Sequence, residues 1–256
     1  MLAIAPSFAL RYARGADDLA AVQRLRYEVF AAELGAAGPG VCHVAQREAD
    51  AFDPHASHLM LEDLAGDRPH LAGVYRIMDR AQAAAAGGFS SAAEFDLGPL
   101  IDSGRPLLEL GRSCLRPAYR GGRAMHVLWA GLAAHIRTTG AEVLFGAASF
   151  AGTDPDALST PLQMLMADHL APSDLRTRAW GPGAVRVTPA GQGDRKAALR
   201  ATPPLIKAYL RIGGVVGQDA YVDRHFGTTD VCMILDVTTL PPQVAAQYGR
   251  HGDLDR

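Results

Sequence analysis

Two stretches of the chain concentrate charges of opposite sign. The first, residues 48–67, contains six acidic residues and no Lys or Arg. Glu48 and Asp50 are spaced i, i+2, which points both side chains to one side of an extended chain, and Asp53 follows. Clustered carboxylates suit a cation, either a metal ion or an ammonium group. We expect them to raise one another's pKa, so that a general base works near neutral pH. The alternative is a solvated acidic loop.

The second stretch, residues 103–123, contains five arginines against one acid, Glu109. Gly121 and Gly122 directly precede a predicted long helix, where free N–H groups, the helix dipole and guanidinium groups converge on an anion. A phosphate or pyrophosphate is the expected ligand, and ordinary surface arginines are the alternative. The motifs GxxxxGK[ST] and GxGxxG are both absent, which disfavours a nucleoside triphosphate or a dinucleotide.

The composition around these stretches excludes several classes of protein. The chain has 256 residues, 48% of them hydrophobic and 20% charged, which is typical of a globular protein. The net charge of −2 disfavours a general nucleic-acid binder. Cys42, Cys114 and Cys232 are far apart and form no CxxC motif, so a zinc site has little support. A secretory signal and a membrane-spanning stretch are not expected. The expected compartment is the cytoplasm, with peripheral contact at the inner membrane left open.

Hydrophobic periodicity predicts the elements that position these charges. Strands are expected over 8–13, 58–64, 71–78, 106–115, 143–148, 182–190 and 231–237, and helices over 19–35, 81–86, 125–138, 157–170 and 203–212. The strands over 58–64 and 71–78 form a predicted hairpin, and residues 36–57 are expected to be a loop. This order predicts one mixed α/β domain, with a core over 8–170, a C-terminal completion over 171–240 and a loose tail over 241–256.

The basic stretch resembles a known superfamily. The strand over 107–115, followed by Tyr119-Arg120-Gly121-Gly122-Arg123, is similar to the phosphate-cradling strand, loop and helix of the GNAT acyltransferases. The resemblance implies a mixed, mostly antiparallel central sheet flanked by helices, and a loop that holds the phosphopantetheine of an acyl thioester. The common loop motif is Arg/Gln-x-x-Gly-x-Gly/Ala. Arg123 and Met125 stand at its last two positions here, which disfavours acetyl-coenzyme A as the donor.

Two branches of the superfamily resemble the chain more closely. Residues 26–30, 48–53, 73–76 and 109–112 form an ordered set similar to that of the acyl-homoserine-lactone synthases. Residues 119–123 with Trp129, then 203–213 and 223–235, resemble the ornithine lipid acyltransferases. Those enzymes transfer a 3-hydroxyacyl chain from acyl carrier protein to the α-amine of L-ornithine. The second resemblance is the closer one and covers about residues 8–237.

The resemblance implies a cleft for the amine substrate. Glu48 is expected to be the general base, while Asp50 and Asp53 hold the amines of ornithine. The arginines of the cleft are expected to pair with these acids, and one of them to bind the ornithine carboxylate. The other residues assigned to the cleft are Arg26, Phe30, Arg76, Glu109 and Arg112.

A second set of residues is expected to serve the acyl donor. Backbone N–H groups near Ser113 would polarise the thioester carbonyl, and the loop from Tyr119 would hold the phosphate of the 4′-phosphopantetheine arm. Arg105 and Arg116 would meet acidic helices of the carrier protein. The donor-site residues are Ser113, Cys114, Leu115, Arg116, Tyr119, Arg120, Gly121, Gly122 and Arg123. Beyond this cosubstrate, no tightly bound cofactor and no metal is expected.

Several alternatives stay open at the level of sequence. Cys114 is a conceivable nucleophile, but a buried thiol in an apolar strand is the favoured interpretation. Tyr119 and Ser149 are candidates for a general acid. An acyl tunnel or plain core would explain Phe150, Trp129, Met164 and Met166. The alternatives to ornithine acylation are a lactone synthase, an acyl-coenzyme A amine acyltransferase and a non-catalytic module that binds lipid or carrier protein.

Overall fold

A computed structural model describes residues 6–189 and 194–241 of the chain, which divides into two compact units. The first unit comprises the described residues of Met1–Met78 together with Leu110–Gly140. The second comprises Asp79–Glu109 and Ala141–Pro241. Apart from Pro241, the predicted loose tail lies outside the described residues, and a single domain stays a prediction.

The elements follow in chain order. The strands are β1 (Phe8–Tyr12), β2 (Val41–Cys42), β3 (Arg47–Glu48), β4 (Ser57–Asp63), β5 (His70–Asp79), β6 (Phe95–Asp96), β7 (Leu107–Leu115), β8 (Val143–Ala151), β9 (Arg178–Ala179), β10 (Ala184–Val185), β11 (Val215–Val216), β12 (Ala220–Asp223) and β13 (Thr228–Asp236). The helices are α1 (Gly15–Arg26), α2 (Arg80–Ala85), α3 (Gly98–Asp102), α4 (Arg123–Thr139), α5 (Ser159–Asp168), α6 (Arg195–Ala201) and α7 (Pro204–Arg211).

The first unit is organised around α1, which continues as a π-helix over Tyr27–Glu33. Its apolar residues Val22, Leu25 and Val29 are buried against Met60 and Val74 of the sheet. This spacing of i, i+3 and i+7 is the stripe by which a helix faces a sheet. The strands of this unit are ordered β1-β4-β5-β7, and β4 pairs antiparallel with both β1 and β5. The predicted opening strand, first helix and hairpin are therefore confirmed.

Two glycines shape this unit where the chain leaves no room for a side chain or turns sharply. A Cβ on Gly73 of β5 would lie 2.3 Å from Leu115 Cδ2 and 3.1 Å from the carbonyl oxygen of Cys114 on β7, so a side chain there would force Leu115 to shift. Gly140 ends α4 with φ of 68°, the left-handed conformation that favours glycine after a helix. The helix predicted over 125–138 is confirmed.

The second unit contains the strand order β7-β8-β13-β12-β10, with β11 also paired to β13. Over Leu107–Glu109, β7 runs parallel to β8, whereas β8 and β13 form an antiparallel ladder of nine residue pairs. The predicted strand over 182–190 is reduced to β10, and its residue 190 lies outside the described range.

The expected fold class is confirmed: the central sheet is mixed and mostly antiparallel, and it is flanked by helices. Within residues 6–189 and 194–241, none of the helices has the length and apolar character needed to cross a bilayer.

Candidate active site

Three arginines and three carboxylates of the first unit form one connected ion-pair network. Its members come from four parts of the chain: the end of α1, the segment from β3 to β4, β5 and β7. They are Arg26, Arg76, Arg112, Glu48, Asp50 and Asp53. The formal charges cancel, so the network is neutral as a whole. The sequence predicted that these six residues share a site, and the structure brings all of them together.

Arg26 lies at the base of the network and is fully buried. Its Nε donates to Glu48 Oε2, and its Nη1 donates to Asp53 Oδ1 at 2.6 Å. Gln23, one helical turn earlier on α1, donates to Asp53 Oδ2 at 3.1 Å. A buried guanidinium needs compensating carboxylates, and α1 places Arg26 where both are supplied.

Arg76 extends the network from β5. Its Nη1 donates to both oxygens of Asp50 at 2.6 Å and to Asp53 Oδ1 at 3.0 Å. The guanidinium carbon lies 5.6 Å from the centre of the Phe52 ring, within cation–π range. Arg76 therefore holds the turn that follows β3 against the sheet.

Arg112 is the most exposed arginine of the network, with 27% of its side chain accessible. It spans Glu48 Oε1 at 3.3 Å and Asp50 Oδ2 at 3.1 Å, which are longer contacts than those of the buried arginines. Its backbone has φ of 49°, a left-handed conformation that side chains rarely adopt. Strained residues of this kind gather at functional sites.

The expectation that the clustered carboxylates raise one another's pKa is wrong for two of them. Burial opposes the ionisation of Asp53, but the guanidinium groups of Arg26 and Arg76 outweigh it and lower the pKa of Asp53 well below its usual range. Burial also opposes the ionisation of Asp50, whose pKa is lowered by Arg76 and then Arg112. Each carboxylate lies closer to guanidinium groups than the sequence alone could indicate, so the charged form is favoured.

Two guanidinium nitrogens of the network have no hydrogen-bond partner within the described part of the chain. They are Nη2 of Arg26 and Nη2 of Arg76, and both are buried. A Cβ on Gly111 of β7 would lie 4.0 Å from Arg76 Nη2 and would meet no other atom within that distance. Gly111 has no positive φ, so the backbone does not require glycine there. A Cβ at this position would make only an ordinary van der Waals contact with Arg76.

The remaining predicted cleft residues have other surroundings. Phe30 packs against the apolar cluster of α1. Glu109 is buried in the second unit, where its carboxylate accepts from the backbone N–H groups of Ser90 and Ser91 and from the Ser90 hydroxyl. Asp53 was expected to hold a substrate amine, but its side chain is inaccessible and already bonded to two arginines.

The strand residues assigned to the donor follow Arg112 directly. The Oγ of Ser113 is buried and has no hydrogen-bond partner among the residues described. Cys114 lies in the apolar cluster with Val22 and Val29, and burial raises the pKa of its thiol to about 12. The interpretation of Cys114 as a buried structural thiol is confirmed. Leu115 is buried beside Gly73.

The donor loop, defined as residues 116–123, is held by ion pairs that the sequence did not reveal. Arg116 pairs with Glu28, and its Nε donates to the carbonyl oxygen of Leu71 at 2.8 Å. Arg120 makes a bidentate pair with Glu33, at 2.5 and 2.7 Å. Both glutamates lie on the π-helical turn after α1. Arg116 was expected to face a carrier protein and Arg120 a phosphate, but in the structure both are paired with carboxylates of the same chain.

The end of the donor loop that leads into α4 has no side-chain cap. Gly121 has φ of 73°, and Gly122 is the N-cap of α4 without a side-chain cap. The first N–H groups of this helix are therefore available to an anion, and Arg123 is exposed beside them. Tyr119 donates its hydroxyl hydrogen to Asp63 at 3.0 Å.

Arg105, predicted to meet a carrier protein, lies in the second unit and is bound within it. Its guanidinium makes a bidentate pair with Asp236 at 2.6 and 2.7 Å, and its Nε donates to Glu142 at 2.9 Å. The candidate tunnel residues Phe150, Met164 and Met166 are buried in the same unit, and Trp129 is buried in the first. Ser149 is exposed.

Sequence reasoning missed several residues of the site. Gln23 was detectable in principle, since it lies one helical turn before Arg26. His58, whose Nε2 bonds the carbonyl oxygen of Asp53 at 3.0 Å, is buried next to the network and gave no signal. A separate acidic cluster of Glu94, Asp223 and Asp230 in the second unit, with ligand oxygens within 4.8 Å of one another, was also unforeseen.

Chemically, the network suits a zwitterion. Its most accessible carboxylate is Asp50, with Glu48 buried beside it, and Arg76, which bonds Asp50, adds a buried N–H donor. An α-amino acid carries its ammonium and carboxylate groups on one carbon and matches such a pair of sites. Backbone N–H groups at a helix start suit a phosphate.

Comparison with known proteins gives the class first. A sequence model of the acetyltransferase (GNAT) domain matches residues 25–130, which contain the whole network. The solved structure of a CoA-dependent acyl-homoserine lactone synthase, BjaI, superposes with a TM-score of 0.52 at 15% identity, covering 98% of this chain and 95% of that one. The fold and the site together define an acyltransferase of the GNAT class.

The relatives give the family. The L-ornithine N(alpha)-acyltransferase of Rhodobacter capsulatus is 47% identical over 97% of this chain and 98% of its own. That of Brucella abortus is 39% identical over 95% of this chain and 89% of its own. The chain belongs to the L-ornithine N(alpha)-acyltransferase family.

Proposed function

We propose that this protein transfers an acyl chain, a 3-hydroxyacyl chain in particular, from acyl carrier protein to the α-amine of L-ornithine. The product is a lyso-ornithine lipid. The observation that carries the proposal is the neutral network of three arginines and three carboxylates. Its longest hydrogen bonds are those of Arg112 to Glu48 and Asp50. The names of the relatives support ornithine as the acceptor.

The amine is expected to enter at the Arg112 edge. Asp50 is 20% accessible, so it can receive an ammonium group, whereas Asp53 is inaccessible. We assign Asp53 a positioning role, because it orients Arg26 and Arg76. A substrate ammonium that replaces Arg112 beside Glu48 and Asp50 keeps the network neutral, which makes the exchange electrostatically feasible.

The carboxylate of ornithine is expected to bind Arg76. Its Nη1 is saturated by Asp50 and Asp53, while Nη2 has no partner among the described residues and lies 4.0 Å from the position of a Cβ on Gly111. A charge-assisted hydrogen bond there fixes the α-carbon, and with it the orientation of the amine.

The reaction is an aminolysis of the thioester. Glu48 Oε1, released from Arg112, takes a proton from the α-ammonium. The nitrogen lone pair then attacks the thioester carbonyl and the C–S bond breaks. The nitrogen gives up its second proton and the leaving phosphopantetheine thiolate takes one up, so that an amide and a thiol remain. Backbone N–H groups near Ser113 stabilise the oxyanion. A covalent intermediate on Cys114 is disfavoured, because that thiol is buried and its pKa is raised to about 12.

The donor is expected to bind through its 4′-phosphopantetheine phosphate at the start of α4. Gly121, Gly122 and Arg123 offer free N–H groups and an exposed cation. Arg116, Arg120 and Tyr119 line this loop, and the first two would have to leave their glutamates to reach the donor. No other cofactor enters the proposal. The protein would act in the cytoplasm, in peripheral contact with the inner membrane.

The decisive experiment combines purified protein with L-ornithine and 3-hydroxyacyl carrier protein. Thiol release and a mass equal to acyl-ornithine are expected. Glu48→Gln should lower turnover by about 100-fold or more, the usual contribution of a general base, without unfolding the chain. The matched control is Glu62→Gln, which removes a partly buried carboxylate partner of Arg11 outside the network and should keep its turnover. Lactone formation from S-adenosylmethionine, or binding without transfer, would contradict the proposal.

A further inference from the structure

The region from α6 to α7, residues 195–211, is the most basic exposed part of the second unit. It contains five cationic residues and no Asp or Glu. Both lysines of the chain, Lys196 and Lys207, are in it, and arginine supplies the other 23 of the 25 Lys and Arg side chains. The complete set is Arg195, Lys196, Arg200, Lys207 and Arg211. We call these two helices the basic helix pair.

The basic helix pair presents its cations on the side away from the core. Ala198, Thr202, Ile206 and Tyr209 are buried, at spacings of three or four residues. On α6, Lys196, Leu199 and Arg200 are exposed and share one face by their i, i+3, i+4 spacing, and Arg195 and Ala201 are exposed as well. On α7, Arg211 is exposed and Lys207 is half-buried; they are spaced i, i+4 and lie away from the buried Ile206 and Tyr209.

The charge of this surface is largely uncompensated. Among the residues that the structure describes, only Arg195 of the five is paired with a carboxylate, Asp168, at 3.3 Å and with 65% of its side chain exposed. Elsewhere, Arg105 and Arg120 each have bidentate carboxylate partners. A net charge of +5 in seventeen residues of a chain with net charge −2 creates a local positive field.

We propose that the basic helix pair binds the surface of a membrane that contains anionic lipids. Leu199 is 40% exposed between Lys196 and Arg200, and an apolar side chain flanked by cations suits the headgroup boundary of a bilayer. Anionic lipids attract such cations, and the attraction fades within a Debye length of the surface.

An acidic carrier protein is the competing partner, and two observations favour the membrane. The first unit contains its own anion site at the start of α4, with Arg123 exposed, so the donor does not require the basic helix pair. The second point rests on the proposed function. A product with a long acyl chain partitions into a bilayer, and an enzyme seated there releases it directly.

Sedimentation with lipid vesicles tests this inference without any dependence on turnover. The wild-type protein should sediment with vesicles of phosphatidylglycerol and phosphatidylcholine at low salt, and not with pure phosphatidylcholine. The quadruple variant Lys196→Gln, Arg200→Gln, Lys207→Gln and Arg211→Gln should lose about 600-fold in partitioning, roughly fivefold per cation removed. Leu199→Gln should lose less, and added salt should release the wild-type protein.

The matched control changes four exposed arginines outside the pair to Gln: Arg14, Arg68, Arg137 and Arg186. It should keep most of its vesicle binding despite the same change in net charge. Equal loss in both variants, or no vesicle binding by the wild-type protein, would overturn the inference. A raised KM for acyl carrier protein in the first variant, with unchanged vesicle binding, would assign the surface to the carrier instead.

Discussion

Two regions of the first unit pair arginine with carboxylate, and they differ in burial. In the network, Arg26 and Asp53 are inaccessible to solvent and Arg76 is nearly so. In the donor loop, Arg120 and Glu33 keep 40% and 33% of their side chains accessible. The contact distances are similar in both places, at 2.6 Å for Arg26–Asp53 and 2.5 Å for Arg120–Glu33.

The difference in burial gives these similar pairs different physical roles. Removing one partner of a buried pair leaves a charge that water cannot solvate, at a cost of about 3–5 kcal/mol. An exposed pair is worth about 0–1 kcal/mol, because water replaces either partner. The network is therefore expected to hold the fold and the site together, whereas the donor-loop pairs are weak enough to exchange with a ligand.

The largest effect expected from this comparison is on Arg26. Arg26→Ala removes the fully buried cation between Glu48 and Asp53, which then keep only Arg112 and Arg76 respectively, and should lower the free energy of unfolding by about 3–5 kcal/mol. Urea denaturation at neutral pH measures this. The control is Arg11→Ala, which breaks surface pairs with Asp18 and Glu62 and should cost no more than about 1 kcal/mol. Equal losses in the two variants would remove the distinction between the regions.

A smaller effect is expected from acid. The pKa values of Asp50 and Asp53 are lowered in the folded protein, so these groups contribute stability that is present above the ordinary carboxyl pKa. That contribution is lost as the pH falls through the folded-state values. Asp53→Asn should be less stable than the wild type at pH 7 but lose less stability on acidification.

Urea melts between about pH 7 and pH 3 compare the two slopes. The control is Asp67→Asn, in the exposed turn between β4 and β5, which should keep the wild-type slope. An Asp53→Asn slope as steep as that of the wild type would mean that other carboxylates dominate acid unfolding.

The sequence predicted the fold best where periodicity is long. The helix over 125–138 and the hairpin over 58–64 and 71–78 match α4, β4 and β5 closely. The short elements were missed. β2 and β3 are two residues each, inside a stretch predicted as loop, and α6 is seven residues long with three alanines. Such segments carry too few apolar positions to show a period, and tertiary contacts decide their structure.

For the site, the sequence predicted which residues belong to the network better than it predicted which arginine bonds which carboxylate. All six network residues were foreseen, because charged residue types recur in the order of the resembling family. The pairings depend on distances across the chain, such as Arg120 to Glu33, which are 87 residues apart. The direction of the pKa shifts also depends on those distances. The pKa values of Asp50 and Asp53 were expected to be raised, but the nearby arginines lower them.

The smallest effect, and the sharpest test of the donor loop, is expected from Glu33→Ala. The substitution removes an exposed pair, so the free energy of unfolding should change by no more than about 1 kcal/mol. It also frees both Nη groups of Arg120. If Arg120 binds the phosphopantetheine phosphate, the donor no longer competes with Glu33, and the KM for acyl carrier protein should fall by up to about fivefold.

Glu28→Ala is the matched control, since it frees Arg116 from the same π-helical turn. A fall in KM with Glu33→Ala alone would assign the phosphate to Arg120, and a fall with both would assign the whole loop to the carrier. An unchanged or higher KM in both variants would mean that these pairs are structural. In that case the exposed pairs, like the buried network, would serve to hold the fold together. Gly121, Gly122 and Arg123 would then remain as the expected phosphate site, because no side chain caps that end of the loop.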